Sequence, residues 1–444
     1  MQRRTGGAIH DIIHAGYTKS MTANPSHRPL NVLLFPVGSA GDVYPHLGLD
    51  RALLERGHRV TLLTSGYFRE AAEREGFEFV DLMPEEKFLR LAGNPLLWDP
   101  LRGAKAIFEL YDIESIREAY QATVDHYEEG STVAVTSAIG FAARIAQERI
   151  GIPLVTVDLQ PMVLWSQHES PVLPGIPRGK YVPGWLKNAV YRMAERFLLD
   201  PMICPTLNEF RKELDLPPIR GLTKWWHSPQ AILGLWPEWY GPVQPDWPSQ
   251  LRLTGFPLWT EKANEPLPDD VESFLAAGDP PIVFTPGTAN MFGHEFFRES
   301  LKACQQLGRR GMFFSKFDEH IPDELPETVR HFRYAAFQTL LPRVAAIVHH
   351  GGIGTTANAM AAGIPQLIMP LSHDQPDNAH RLKNLGIGDW LVPKRYRGEK
   401  VAAKLKYLLT DEGVKAATKG VASRFETNGT SPFEVACDVV ESLV

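Results

Sequence analysis

The sequence predicts an α/β protein with two domains, each built on a parallel β-sheet. Short apolar runs alternate with helix-length segments, first from Asn31 onward and again from Ile282 onward. Two of these runs lead into glycine-rich turns, at residues 38–41 and 351–354. With 444 residues, of which 44% are hydrophobic, the chain is long enough to bury more than one core.

The first series of elements has the pattern of a βαβ unit. A strand predicted at residues 32–37 enters the turn at 38–41, a helix follows at about 45–56 with Gly57 as its C-cap, and a strand follows at 59–64. The alternation continues with a strand at 133–137, a helix at about 141–149 and a strand at 154–158. Strands that alternate with helices in this way are predicted to lie parallel in one sheet.

A second series follows a segment between about residues 160 and 250 that is rich in Trp, Pro and Met. Its strands are predicted at 282–284, 312–314, 345–348 and 367–369. An acidic, proline-rich stretch that includes residues 259–270 is the predicted linker. The predicted organisation is a flexible leader at 1–28, an N-terminal domain at 29–258, a C-terminal domain at 271–430 and a last helix at 431–444.

Composition and charge exclude several classes of function. The formal charge is 46 − 52 = −6 and no dense block of Lys and Arg occurs, which argues against nucleic acid as a partner. No apolar run approaches the roughly 20 residues of a membrane span, and no secretory signal is visible, so we expect a cytoplasmic protein without a transmembrane segment. A peripheral membrane contact and the oligomeric state stay open. The three cysteines have no CxxC spacing and no Asp-x-Asp pair occurs, so we expect no bound metal.

The segment 349–356 is the most informative part of the chain. It reads HHGGIGTT, follows the apolar residues 345–348 and leads into an Ala-rich helical run. Three glycines within four residues let the backbone approach a bulky group, and the N-terminus of a helix attracts anions. We therefore expect a phosphate group at the main-chain N–H groups of Gly352, Gly354 and Thr355, with the Thr355 hydroxyl and the His350 imidazole as further donors.

Four motifs together resemble the GT-B family 1 glycosyltransferases. They are GSAGD at residues 38–42, TGFP at 254–257, FTPGT at 284–288, and HHGGIGTT with HDQPDN at 349–356 and 373–378. Within this family the chain is similar to the rhamnosyltransferases of rhamnolipid synthesis and to sterol glucosyltransferases. The resemblance covers nearly everything after residue 29. It implies two facing Rossmann-like domains with an interdomain cleft, and a last helix that returns to the N-terminal domain.

The resemblance also implies a donor site for a nucleotide sugar, with no separate cofactor. The diphosphate would lie on the turn at 350–355, with Thr288 as a second contact, and Asp374 and Gln375 match the Asp-Gln pair that binds the sugar hydroxyls. Phe337 matches the segment that faces the base, although a Phe at a strand end is equally typical of a core. Asn358 replaces the Glu that often binds the ribose. The nucleotide therefore stays open between UDP and dTDP.

The general base implied by the resemblance is Asp42, at a position where many members have a His oriented by an Asp. The segment 133–137, where that second acid would lie, contains none, so Asp42 would act alone. A carboxylate with an ordinary pKa of about 3.9 is a weak base, and burial must raise it. The alternative interpretations are that Asp42 only caps the helix near Pro45, and that His46 is the base.

The acceptor site is predicted from the aromatic excess of the first half. Tyr44, Trp98, Trp165 and Trp226 are candidate walls of an apolar pocket, although each alone is more typical of a core. The predicted function is an inverting transfer of a hexosyl or deoxyhexosyl group to a hydroxyl of a lipophilic small molecule such as a lipid, a sterol or a polyketide. Two alternatives are a non-catalytic nucleotide-sugar-binding subunit and an NAD(P)-dependent oxidoreductase. The latter is disfavoured because residues 38–41 lack the full GxGxxG and no acid follows the strand at 59–64.

Overall fold

The computed structural model describes residues 28–444 except 101, 110, 174–175, 177–178, 180, 260–265, 288–292 and 426–429. Three predictions fall wholly or largely outside the described residues. They are the donor contact Thr288, the leader apart from Arg28, and half of the predicted linker.

Two parallel sheets form the framework of the described chain. The N-terminal sheet has the order β3-β2-β1-β4-β5-β6-β7 and the C-terminal sheet the order β10-β9-β8-β11-β12-β13, with every described pairing parallel. The strands are β1 Asn31–Phe35, β2 Arg59–Ser65, β3 Glu78–Met83, β4 Thr132–Ser137, β5 Leu154–Asp158, β6 Ala231–Gly234, β7 Leu251–Leu253, β8 Ile282–Thr285, β9 Gly311–Phe314, β10 Val329–Phe332, β11 Ala346–His349, β12 Gln366–Ile368 and β13 Gly388–Trp390.

Helices connect these strands. The described helices are α1 Ala40–Glu55, α2 Arg69–Glu75, α3 Glu85–Ala92, α4 Gly103–Phe108, α5 Ile113–Asp125, α6 Phe141–Ile150, α7 Gly184–Ala194, α8 Asp200–Glu213, α9 Leu222–Trp225, α10 Asp269–Ala276, α11 Gly293–Leu307, α12 Phe337–Leu340, α13 Ile353–Ala361, α14 Gln375–Asn384, α15 Gly398–Thr410, α16 Glu412–Ala422 and α17 Pro432–Glu441. A π-helical turn, Glu195–Leu199, joins α7 to α8.

The central strands are apolar because both faces of each sheet are covered. All five residues of β1 and all four of β11 are buried. A strand that packs against helices on both sides has no solvent face, so its sequence is a continuous apolar run. The parallel arrangement expected from the sequence is confirmed, and the predicted strands lie within two residues of the observed ones.

The first helix begins earlier than the sequence analysis predicted. Helix α1 starts at Ala40, not near Pro45, which lies inside it. The reason is a capping box: Ser39 is the N-cap, and the carboxylate of Asp42 at the third helical position accepts a hydrogen bond from the Ser39 main-chain N–H. The helix ends before Gly57, whose φ of 91° gives the left-handed conformation expected just after a helix.

Contacts join the two halves of the chain at several places. Helix α17 packs on α1, where a Cβ on Gly48 would lie 2.6 Å from the Phe433 ring, and Glu441 contacts Arg56 and His58 at 2.9 Å each. A second contact joins the segment after β6 to helix α14, where the Tyr240 hydroxyl donates to Asn378 Oδ1 over 2.7 Å. One apolar cluster therefore extends from the N-terminal sheet to the C-terminal helices.

Candidate active site

The candidate site lies where the strand order of each sheet reverses. In the N-terminal sheet this point is between β1 and β4, and in the C-terminal sheet it is between β8 and β11. Connections leave such a pair of strands in opposite directions, which opens a crevice at the carboxyl ends of the strands. Asp42 follows β1 and His350 follows β11, so each sheet contributes residues from its own crevice.

The glycine-rich turn after β11 presents an uncapped helix N-terminus. Gly352 is the N-cap of α13, no side chain caps the helix, and its first turn contains no acidic residue. Gly354 is exposed, and a Cβ placed there would meet nothing within 4 Å. The N–H groups of the first turn and the positive end of the helix are therefore available to an anion, as the sequence predicted for Gly352, Gly354 and Thr355.

Two glycines create the space for the His350 imidazole. A Cβ on Gly287 would lie 2.8 Å from the ring, and one on Gly352 would lie 2.5 Å from its Nε2 atom. Burial lowers the pKa of His350 to about 4, so the ring is neutral at pH 7. Its Nδ1 atom is buried without a hydrogen-bond partner among the described residues.

The neighbouring histidine supports the turn from inside the domain. His349 is fully buried, its Nδ1 atom accepts from the Gly351 N–H over 3.1 Å, and its Nε2 atom lies 2.9 Å from Gln366 Oε1. Burial and the adjacent His350 lower the pKa of His349 to about 3, which fixes a neutral ring that donates from Nε2. His349 therefore holds the turn in place.

Asp374 is connected to the phosphate turn through one amide group. Asp374 precedes α14, and its Oδ2 atom accepts from Asn378 Nδ2 over 2.7 Å. The same Nδ2 atom donates to the Gly351 carbonyl over 2.9 Å. Burial, and then the charge of Asp42, raise the pKa of Asp374 to about 7. The predicted sugar-binding acid is thus held beside the predicted phosphate site.

Gln375, predicted to bind the sugar, is almost fully buried. It is 3% exposed, and its Oε1 atom accepts from the Leu371 main-chain N–H over 2.7 Å. The amide oxygen therefore stabilises the loop before α14. Only the N–H side of this amide is left to face a ligand.

Asp42 lies across the cleft from this loop. Its half-buried carboxylate accepts from the Ser39 N–H at 2.7 Å and the Ser39 hydroxyl at 2.9 Å, both through Oδ2. Burial raises its pKa, while the Ser39 bonds and the nearby His373 oppose that rise. Asp42 also acts electrostatically on Asp374. The structure therefore brings together the predicted base and the predicted sugar-binding acid.

The rival base His46 is poorly placed for catalysis. It is 1% exposed, and its Nδ1 atom lies 2.9 Å from the main-chain oxygen of Asp42. Burial lowers its pKa to about 4. An acceptor hydroxyl has no access to a ring so deeply packed, and His46 is best described as part of the core.

The four aromatic residues predicted for the acceptor do not meet in one pocket. Tyr44 packs near Phe68 and Trp259, with ring centroids 6.3 and 6.2 Å away, whereas Trp165 packs on Tyr191 at 5.3 Å. These two residues therefore belong to separate clusters.

The other two aromatic predictions have different surroundings again. Trp226 is 9% exposed and lies in the core beside α6, so the structure gives it no place in a pocket wall. Trp98 lies edge-on to His373, with 5.9 Å between ring centroids, and therefore reaches the cleft from the N-terminal domain.

The two residues predicted to face the nucleoside lie on the C-terminal domain. Phe337 does not end a strand but begins the short helix α12, where it is half-buried and packs edge-on against Phe314 at 5.9 Å. Asn358 donates from Nδ2 to the Gly354 carbonyl over 2.9 Å. Its Oδ1 atom is buried and accepts no hydrogen bond from the described residues.

Three residues of the site were not singled out from the sequence. His373 has a φ of 57°, and its Nε2 atom lies 2.6 Å from the Leu97 carbonyl. This contact connects the loop before α14 to the N-terminal domain. Asn378 bridges Asp374 and Gly351, and Tyr240 holds Asn378 from the other domain. The HDQPDN motif contains two of the three, whereas Tyr240 has no local signal.

Neither a metal site nor a membrane-spanning helix is present among the described residues. They contain no group of three or more His, Cys, Asp or Glu side chains arranged to hold a metal ion. No helix in the described part of the chain is both long and apolar enough to cross a membrane.

The fold and the site define the class of the protein. Two parallel-sheet domains that face each other across a cleft are the arrangement of GT-B glycosyltransferases. Residues 32–163 match the glycosyltransferase family 28 N-terminal domain, and residues 316–442 match the erythromycin biosynthesis protein CIII-like C-terminal domain. The chain therefore belongs to the GT-B glycosyltransferases and is a glycosyltransferase enzyme.

Characterised relatives span nearly the whole chain. The chain is 29% identical to O-mycaminosyltylonolide 6-deoxyallosyltransferase of Streptomyces fradiae, over 93% of this chain and 97% of that one. It is 29% identical to glycosyltransferase GtfC of Amycolatopsis orientalis, over 90% and 95%. It is 25% identical to sterol 3-beta-glucosyltransferase UGT80B1 of Arabidopsis thaliana, over 92% and 68%.

Solved structures agree on the fold. The glycosyltransferase of kitacinnamycin superposes with a TM-score of 0.69 at 20% identity, covering 94% of this chain and all of that one. Glycosyltransferase VinC in complex with dTDP superposes with a TM-score of 0.68 at 19% identity, covering 93% and 100%. The GT-B fold expected from the sequence is confirmed.

Proposed function

We propose that this glycosyltransferase moves a hexosyl or deoxyhexosyl group from a UDP- or dTDP-sugar to a hydroxyl of a lipophilic small molecule, with inversion at the anomeric carbon. The observation that carries the proposal is the position of Asp42. The charge of its carboxylate acts on His373 and Asp374 of the C-terminal domain, and Asp374 is joined through Asn378 to Gly351, beside the uncapped helix start.

The chemistry follows from what each side of the cleft can do. The Oδ2 atom of Asp42 accepts hydrogen bonds from the N–H and the hydroxyl of Ser39, whereas its Oδ1 atom accepts none from the described residues. Oδ1 would take the proton of the acceptor hydroxyl as its oxygen attacks the anomeric carbon. The bond from that carbon to the diphosphate oxygen breaks on the opposite face of the sugar, which inverts the configuration.

The departing diphosphate needs positive charge or hydrogen-bond donors. The N–H groups at the start of α13 and the Thr355 hydroxyl supply donors without a side-chain cap to compete. His350 is neutral in the free protein. A bound diphosphate would raise its pKa, because an opposite charge nearby favours the protonated ring, and the ring would donate to the leaving oxygen.

Support for the donor comes from Asn358 and from the comparisons. An Asn at this position can make one contact to a ribose hydroxyl through its amide, whereas a carboxylate can bind both hydroxyls of a diol. The complex of VinC with dTDP supports a thymidine nucleotide, and the 6-deoxyallosyl relative supports a deoxy sugar. UDP is retained because nothing in the described site selects against the uracil ring.

Support for the acceptor class comes from the compounds that the relatives glycosylate. A tylonolide derivative and a sterol are both large, mostly apolar alcohols. Trp98 at the cleft supplies apolar surface from the N-terminal domain. A lipophilic alcohol is therefore the acceptor class that fits both observations.

Asp42→Asn separates catalysis from helix capping. An amide oxygen still accepts from Ser39, so the helix start should survive, while the proton acceptor is lost. We expect turnover to fall at least ~100-fold with donor affinity within about twofold of the parent. Turnover and binding would be measured with whichever UDP- or dTDP-sugar gives the largest thermal shift in a panel.

The control for this variant is Ser39→Ala, which weakens the capping box but keeps the carboxylate. It should lose stability of about 1 kcal/mol and retain most activity. Near-normal turnover of Asp42→Asn would remove Asp42 from the mechanism. Retention of configuration in the product would contradict the single displacement.

A further inference from the structure

Helix α7 and the π-turn after it carry a concentrated exposed apolar surface. Of the fifteen large hydrophobic side chains that are exposed among the described residues, five lie in this single segment, so exposed apolar surface is concentrated there. They are Trp185 at 70%, Leu186 at 38%, Met193 at 53%, Phe197 at 71% and Leu198 at 57% exposed. These five residues are called the apolar face below.

The opposite side of the helix is firmly packed, so the exposure is not a sign of a loose helix. The Tyr191 hydroxyl donates to the Ser166 carbonyl over 2.9 Å, and its ring stacks near Trp165. Lys187 is 4% exposed and donates to the Gln167 carbonyl over 3.0 Å. The helix is anchored by its polar groups and turns its apolar residues outward.

The exposed charges of this segment all have one sign. Arg192 and Arg196 are exposed, and neither forms an ion pair with a described residue. Arg192 lies two helical turns after Trp185, which places both on one side of α7, and Arg196 follows in the π-turn. The acid of the segment, Glu195, is 9% exposed and turned inward, where it accepts from the Thr223 N–H over 2.9 Å. Residues 184–199, all of which are described, thus expose no carboxylate.

This combination selects among possible occupants. An aromatic and aliphatic stripe flanked by arginines, without exposed acids, suits the interface of a bilayer that contains anionic lipid. A second copy of the chain is a poor fit, because an isologous contact would bring Arg192 and Arg196 of both copies together with no carboxylate between them.

We propose that the apolar face, with Arg192 and Arg196, is a docking surface for an anionic lipid bilayer. The aromatic side chains enter the headgroup region and the guanidinium groups bind lipid phosphates. The inner side of α7 packs on residues 165–167, which follow β5 at the carboxyl edge of the sheet. If the proposed function holds, a lipophilic acceptor would reach the cleft from the membrane on this side.

The test is co-sedimentation of the full chain with vesicles, without donor or acceptor. We expect binding to phosphatidylcholine vesicles that contain phosphatidylglycerol, at least ~10-fold weaker binding to pure phosphatidylcholine, and weakening at high salt. Trp185→Ser with Phe197→Ser should reduce binding to both vesicle types at least ~10-fold. Arg192→Gln with Arg196→Gln should remove only the preference for the anionic vesicles.

Matched controls lie on the other domain. Tyr407→Ser removes an aromatic ring that is 52% exposed on α15, and Arg395→Gln removes an exposed arginine. Neither should change vesicle binding. Thermal unfolding of every variant excludes misfolding as the cause of a lost interaction.

Two outcomes would overturn the proposal: absence of binding to either vesicle type, and equal binding by the parent and the Trp185–Phe197 double variant. A concentration-dependent dimer that the same substitutions abolish would assign the surface to a second copy instead. Turnover on a water-soluble alcohol is independent of this surface and should be unchanged in the double variant. Failure of docking and failure of the transfer reaction can therefore be distinguished.

Discussion

The two crevices of this protein are built alike, but the helix N-terminus in one is occupied by a carboxylate of the chain and the helix N-terminus in the other has no side-chain cap. In both, a central parallel strand ends in a short turn and a helix begins at the carboxyl edge of the sheet. At α1 the helix N-terminus is occupied by the protein's own anion, because Asp42 closes a capping box with Ser39. At α13 the N-cap is Gly352, no side chain caps the helix, and the first turn carries no acid.

This difference shows how one architecture provides both halves of a transfer reaction. A helix N-terminus attracts negative charge whether it comes from a side chain or from a ligand. Where the chain supplies the charge, the crevice holds a carboxylate that can accept a proton. Where the chain leaves the N-terminus open, the crevice can take a diphosphate. The third helical position decides between these outcomes, and it is Asp42 in one helix and Thr355 in the other.

The largest effect is expected from giving α13 the acid that α1 has. Thr355→Asp places a carboxylate at the third helical position, where it competes for the first-turn N–H groups and repels a diphosphate. Two unit charges about 4 Å apart near a protein surface repel by roughly 4 kcal/mol, so donor affinity should fall at least ~100-fold. Calorimetric titration with the donor measures it.

Thr355→Asn is the control for that substitution, because it has the same shape without the charge. It should cost donor affinity no more than about tenfold, the loss of one hydroxyl contact. Equal losses for the Asp and Asn variants would mean that the open helix N-terminus is not the diphosphate site.

The second effect concerns the space that Asp42 requires. A Cβ on Gly38 would lie 2.3 Å from Asp42 Oδ2, and the φ of Gly38 is 137°, a conformation that other residues rarely adopt. Gly38→Ala should displace the carboxylate and lower kcat by about 10- to 100-fold, with donor affinity unchanged. Gly41→Ala is the matched control, because its Cβ would meet only Ser39 Oγ at 3.6 Å. A normal kcat for Gly38→Ala would show that the position of Asp42 does not limit turnover.

The sequence could predict the C-terminal crevice better than the N-terminal one, for a physical reason. The predicted donor residues His350, Gly352 and Asp374 stand in the motifs at 349–356 and 373–378, so runs of consecutive residues and the family resemblance were enough to propose them. The contacts of Tyr240 with Asn378 and of Leu97 with His373 join residues 138 and 276 positions apart. Such contacts arise from packing of the domains, which no local pattern encodes.

Errors in the predicted elements have similarly specific causes. Pro45 suggested a helix start because proline is favoured in the first turn, but the capping box of Ser39 and Asp42 placed the start five residues earlier. Strand β3 has an exposed Glu78 and half-buried neighbours, so it lacks the apolar run by which the predicted strands were recognised. Trp226 was assigned to the acceptor from regional composition alone, and composition does not distinguish a core position from a pocket.

Helix α1 contains a second acid, Asp50, for which we expect an effect on stability and none on catalysis. It is fully buried, neither oxygen has a partner among the described residues, and burial raises its pKa well above the ordinary value. The folded state then holds a proton that the unfolded state releases, so this group costs stability as the pH rises above about 4. Asp50→Asn should stabilise the protein by about 1–3 kcal/mol at pH 8 and very little at pH 4.

Unfolding midpoints at the two pH values measure this effect, and Asp323→Asn, which changes an exposed carboxyl, should shift neither. Turnover of Asp50→Asn should equal that of the parent, in contrast to Asp42→Asn. A loss of stability at pH 8 would mean that Asp50 is ionised and paired in the folded protein.

The smallest effect is the electrostatic contact between the two crevices. The pKa of Asp374 is about 7, raised by burial first and by Asp42 second. Because the folded pKa lies above the ordinary value, the stabilising contribution of Asp374 is complete below about pH 4 and is lost as the pH rises toward 7. Asp42→Asn removes the like charge, so the folded pKa of Asp374 should fall toward its ordinary value.

A double-mutant cycle isolates this contact from the other effects of each substitution. Thermal midpoints between pH 5 and 8 would be compared for Asp42→Asn, Asp374→Asn and the double variant. The two substitutions should be non-additive above pH 7, by on the order of 1 kcal/mol, and additive at pH 5, where Asp374, with a pKa of about 7, is largely protonated in the folded state. Pairing Asp42→Asn with Asp323→Asn should give additive effects at every pH. Additivity of the Asp42 and Asp374 substitutions throughout would place the carboxylates too far apart for one sugar to lie between them and contact both.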